Sequence, residues 1–231
     1  MLKWLLRFLP IALTIQSLPA IHAWAQAPKD PYPAMAPLAQ YLMPDENAEI
    51  ALARSAAPKS ISDAADVMVL RRDGYATAQR GSNGFVCMVQ RSWAATTDAP
   101  EFWNPKIRSP ICWNATAAKT YVPILVMKTK WVLAGKSKAE IAQAVGASLD
   151  KNEIPPMGPA AMCYMMSKQQ YFGRKYGNAD PHLMFWFPKT GDMFWGGGLP
   201  GSPVYVHQYS PEPITEFIIS VSKWSDETSA Q

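Results

Sequence analysis

The side chains in this sequence that invite chemistry are one cysteine, two histidines and a few carboxylates. Cys163 stands in "AAMCYMM", His182 opens "HLMFWF" and His207 sits in "VYVHQY". A thiol hydrolase needs a thiolate, an imidazole to take its proton and a third group to orient that imidazole. Cys163 with His182 or His207 as base would supply the first two. Glu101 or Asp180 with the same histidines would supply a carboxylate version. The methionines and alanines around Cys163 argue for packing instead, because a free cysteine in apolar surroundings is usually inert. Chemistry at these residues is therefore the second reading, a small exported hydrolase.

Three further motifs fail on context. Lys189-Thr190-Gly191 matches the strand triplet of penicillin-binding proteins and serine β-lactamases, and Tyr176-Gly177-Asn178 resembles a second element of some of them. Their nucleophilic Ser-x-x-Lys precedes both, whereas the Ser-x-x-Lys here, Ser220 to Lys223, follows them inside a predicted strand. The triplet is better read as a turn. "GGGLPGSP", Gly196 to Pro203, is no phosphate cradle: the next element is a strand rather than a helix, and Pro200 and Pro203 remove amides that a cradle would offer. His182 and Met184, with Met162, Met165 and Met166, would suit copper by ligand softness. Methionine is also a common core filler, and no such cluster lies on a loop, so neither a metal nor a cofactor is expected.

Aromatic residues are the stronger signal. Phe102, Trp103, Trp113, Trp186 and Trp195 stand beside prolines or glycines in segments read as loops. Large rings near a surface gain much from desolvation and often present a polar edge. The first reading is thus a non-catalytic binding or envelope-associated domain whose contact surface is made of these rings. Its partner would be a small molecule, a glycan or an envelope protein.

Charge and leader bound the setting. "MLKWLLRFLPIALTIQSLPAIHAWAQ" has a basic start, an apolar middle and Ala23-Trp24-Ala25 before Gln26, the pattern of a cleaved bacterial-type secretory signal over 1–25. The formal charge of +4 falls by two on loss of Lys3 and Arg7, too little for a nucleic-acid surface. No later stretch is long and apolar enough to span a bilayer, so a soluble periplasmic or secreted chain is expected. An oxidising compartment favours one disulfide among Cys87, Cys112 and Cys163. Cys87 with Cys112 closes a loop of 25 residues and is preferred.

These residues need a frame, and the pattern of the chain predicts one. A proline-rich tail over 26–44 leads into a single globular domain over 45–224, ending in a short disordered tail at 225–231. Pro44 and Pro58 bracket a short helix. Asp73-Gly74 and Asn83-Gly84 predict turns between three antiparallel strands, 66–71, 75–80 and 85–92, the last of them central. Residues 94–114, with three prolines and no period, read as a long ordered loop. Helices are expected near 114–134 and 138–151, the first capped by Asn114 and the second opened by a Ser137–Glu140 capping box. Further strands follow, and in the last one Phe217, Ile219 and Val221 face inward while Glu216 and Ser220 face outward. The class is α+β, an antiparallel sheet of about six to seven strands packed against the helical section.

Overall fold

A computed structural model describes residues 31–210 and 212–230. The expected signal peptide and the start of the proline-rich tail lie outside the described residues. Among them the protein is α+β, with helices packed on one eight-stranded sheet.

The helices are α1 Glu46–Arg54, α2 Lys59–Ser62, α3 Ala115–Thr120, α4 Val122–Leu133 and α5 Lys138–Asp150. Their ends follow local chemistry. The Asp45 side chain accepts from Asn47 N–H to start α1, and the Asn114 side chain accepts from Ala117 N–H to start α3. Pro123 opens α4, where its missing amide costs nothing, and Gly135 lies just past its end at φ 78°. The predicted capping box between Ser137 and Glu140 is present at α5, both reciprocal bonds made.

The strands are β1 Asp66–Arg71, β2 Gly74–Gln79, β3 Val86–Gln90, β4 Ser109–Trp113, β5 Ala161–Met165, β6 His182–Pro188, β7 Val204–Gln208 and β8 Ile214–Ser220. Their order is β2-β1-β3-β4-β5-β6-β8-β7. Eight strands replace the six or seven expected, and the sheet is mixed: β1 and β3 run parallel, the other neighbours antiparallel. The turn expected at Asn83-Gly84 therefore does not fold β3 onto β2. The chain recrosses the start of β1, where a side chain at Gly81 would strike the Ala64 and Ala65 backbone. Ser82 and Asn83 both donate to Ala64 O there. That crossing delivers the doubly apolar β3 to the middle of the sheet, as its composition demands.

β4 lies inside the segment expected to be a loop. Every residue from Ser109 to Trp113 is buried, and Cys112 lies directly across from Cys87, to which it is disulfide-bonded. Pro110 hid the strand, since proline is rare in central strands. The ladder from β4 to β5 spans only Cys112↔Tyr164 and Trp113↔Cys163, so Pro110 falls beyond it.

Helices α3, α4 and α5 cover one face, over Met88, Trp113, Cys163, Met184 and Trp186. Helix α1 covers the opposite face at β1, β3 and β4 through Leu52 and Ala53. A third cluster joins Tyr41, Trp93, Phe102, Trp103 and Ile141. Tyr41 belongs to the segment read as a tail outside the core; it is fully buried and its hydroxyl donates to Trp103 O at 2.7 Å. At the other end, residues 222–230 close into a small hairpin in place of the expected disordered tail. Ser225 N–H donates to Met166 O and Ala230 N–H to Ser222 O.

Candidate functional site

The connection from β6 to β7 is held down at several points and lifts its rings between them. Thr190 N–H donates to Thr215 Oγ1, and Gln208 Nε2 donates to Thr190 O and Asp192 Oδ1. Gly197 lies flat on the sheet, where a Cβ would collide with Val206 Cγ2 and Asp192 O. Between these anchors Met193–Gly196 forms a tight turn in which Trp195 adopts φ 64°, ψ 18°. A bulky residue in the left-handed region is uncommon and stores strain that the surroundings must hold.

The surroundings here are other rings. Trp195 meets Phe187 edge-on at 4.9 Å and Phe185 edge-on at 5.2 Å, and lies 5.6 Å from Phe217. Phe194 stacks parallel to Trp195 at 6.2 Å and also touches Phe187 and Phe217. Yet Trp195 remains 45% and Phe194 46% exposed, with Met193 and Leu199 exposed beside them. The result is a fixed aromatic platform on the sheet face opposite α3 and α4, flanked by Lys189, Thr190, Asp192 and Gln208. Side-chain order is already achieved, so a ligand that stacks there pays little further entropy.

Of the five rings predicted to form the contact surface, only Trp195 reaches it. Phe102, Trp103, Trp113 and Trp186 are all buried. Trp113 and Trp186 stack with Tyr121 beneath α3 and α4, and Phe102 packs edge-on against Trp103 next to α5. Prolines beside them end strands and turns, and the rings fill the core that those strands enclose. Phe194, Met193 and Leu199 complete the platform. Their signal was the triple glycine after Trp195, in which Gly196 and Gly198 take positive φ and turn the chain.

Among the described residues no hydrogen bond joins the side chains of the five predicted catalytic residues to one another. Cys163 is fully buried, with its thiol pushed well up by burial. His182 lies across from Met165, is held low by burial, and its Nδ1 lies 2.7 Å from Asp180 O. His207 is exposed on β7 in register with Glu216 and Trp186, four residues along β6 from His182, or about 13 Å. Glu101 serves the loops: it accepts from Arg174 N–H and Asn104 Nδ2. The Asp180 side chain is exposed.

A different titratable group lies beneath the platform, on the helical side of the sheet. Glu216 was expected to face outward and is 5% exposed, because Ile214, Glu216 and Ile218 turn toward the covered face. Burial pushes its carboxyl up to about 7, opposed by Tyr209 and Trp186 beside it. The Tyr209 hydroxyl donates to it at 3.4 Å. Nearby, buried Lys128 donates to Ala95 O at 2.8 Å and pairs with Glu212 at 3.5 Å. These groups are packed in, and a narrow void beside Tyr75, Arg91, Trp93 and Thr129 is too tight to hold a water molecule. The described residues contain no cluster of three or more His, Cys, Asp or Glu able to hold a metal ion, and no helix long and apolar enough to cross a membrane.

Comparison with known proteins gives this chain no relative: no family model, no curated protein and no solved structure matches it.

Proposed function

We propose that the protein is an exported, non-catalytic binding domain that takes the apolar ring faces of an extended envelope glycan on its Phe194–Trp195 platform. The strained Trp195 backbone carries this reading, since folding spends free energy there to hold a large ring at the surface. The Phe194 and Trp195 rings lie within 18° of parallel and are about half exposed, whereas small molecules are generally bound in concave pockets. A sugar polymer instead offers successive ring faces to stack and hydroxyls for Thr190 and Asp192 to meet. The Cys87–Cys112 disulfide and the apolar leader with its small-residue cleavage pattern support export.

The test is affinity electrophoresis and pull-down with insoluble and soluble envelope polysaccharides. Trp195→Ala should lose about tenfold or more of any affinity, as truncation of a central aromatic anchor does. Its unfolding transition should remain cooperative. Absence of retention on every polysaccharide, or retention that Trp195→Ala leaves unchanged, overturns the reading.

A further inference from the structure

Strand β7 ends the sheet, and it ends it openly. Tyr209 N–H donates to Ile214 O at 3.0 Å, and the register continues as His207↔Glu216 and Tyr205↔Ile218. Alternation in an antiparallel pair then turns the backbone groups of Tyr205 and His207 into β8, and those of Val204, Val206 and Gln208 outward. Among the described residues no strand lies beyond them. Val204 N–H is met by Ser202 Oγ at 3.1 Å. Among the described residues the outward backbone groups of Val206 and Gln208 have no strand to pair with.

The two edges of the sheet are treated differently. At β2 the flanking residues are Arg71, Arg72, Asp73 and Arg80, a register shift interrupts the pairing with β1, Arg54 donates to Gln79, and α4 packs on the strand. Charges and irregularity of this kind discourage a further strand. β7 reads Val-Tyr-Val-His-Gln, with no carboxylate, lysine or arginine and with β-branched and aromatic residues that favour extended pairing. Tyr205 is 63% exposed, and five of the six exposed large apolar residues fall between 193 and 205.

We propose that β7 pairs with β7 of a second copy of this chain, antiparallel about a two-fold axis through Val206. Only that register pairs all five residues of the strand with themselves. It matches outward groups with outward groups: Val206 with Val206, and Val204 with Gln208 once Val204 N–H exchanges Ser202 Oγ for the Gln208 carbonyl of the second copy. On the helical face it sets Tyr205 opposite His207 of the second copy, twice, at the close spacing of a non-hydrogen-bonded pair. A symmetric contact requires this self-complementarity, and here no like charges oppose one another. The axis stands normal to the sheet, so both Trp195 platforms face the same way. A polymer could then engage both, with the second contact made at raised effective concentration.

Sedimentation velocity of the purified chain tests this without any ligand, and so apart from the glycan reading. The wild type should pass from monomer to dimer with rising concentration. Tyr205→Lys with His207→Lys sets like charges across both pairs and should weaken self-association by roughly tenfold or more. Tyr205→Glu with His207→Lys sets opposite charges across the same pairs and should restore the dimer. Both residues are exposed, and an unchanged near-UV circular dichroism spectrum verifies the fold of each variant. A wild type that stays monomeric, or a dimer that the like-charge variant leaves intact, overturns the proposal. An opposite-charge variant that stays monomeric overturns the Val206 register. A monomer that instead binds an extended peptide along β7 makes the occupant a foreign strand and overturns the second copy.

Discussion

Glu216 is the residue whose position most alters how the protein responds to its surroundings. Its carboxyl titrates near 7 when folded, against an ordinary value of 4.5. The folded state therefore prefers the protonated form. Its contribution is full below 4.5 and is lost as pH rises through 7, at about 1.4 kcal/mol for each pH unit between the two values, or about 3–4 kcal/mol in all. Chemical denaturation at pH 5 and pH 8 should show the wild type weaker at the higher pH. Glu216→Gln, which keeps the shape and removes the charge, should flatten that difference; an equal slope in the variant would place the pH dependence elsewhere. Alternation misplaced this residue because it assumes one wet face. Residues 214–218 of β8 lie under helices on one side and under the Trp195 turn on the other.

Among the elements, β3 and β4 are joined by more than their ladder. The Cys87–Cys112 bridge closes 25 residues of chain, including the entire irregular segment from Ala95 to Arg108. Chain entropy assigns a loop of that length about 3.5 kcal/mol. Reduction should lower the stability measured in urea by about that amount, with Cys163 staying unlabelled by thiol reagents until the chain unfolds. Most strands and all the longer helices follow from pattern, caps and turn residues. β4 does not, because Pro110 and short length mask it, and the parallel pairing of β1 with β3 does not, because a glycine cluster marks a turn without saying which strand the chain returns to.

At the scale of the molecule, one buried ion pair ties the N-terminal segment to the sheet. Arg91 donates to both Glu49 oxygens at 3.0 Å, and its Nε donates to Tyr41 O at 2.7 Å. Glu49 also accepts from Leu70 N–H, so α1, β1, β3 and the segment before α1 converge on it. Both side chains are essentially inaccessible. Glu49→Leu leaves the guanidinium uncompensated and should cost about 3–5 kcal/mol in thermal or chemical denaturation. Replacing both partners together should cost less than the two single changes summed, which a double-mutant cycle measures.

Sequence alone determined the α+β class, the central place of Val86–Gln90 and the helix ends at Asn114, Gly135 and Ser137, and it favoured the Cys87–Cys112 pairing that the structure contains. These are decided by local geometry, loop length and apolar content, which act over a few residues. Tertiary structure alone decided which rings are wet, which carboxylates are dry and which sheet edge is bare among the described residues. Trp113 follows three prolines and Trp195 precedes three glycines, both in segments that read as loops, yet one is entirely covered and the other half exposed. Burial is a property of what arrives from elsewhere in the chain, and no spacing within the sequence records it.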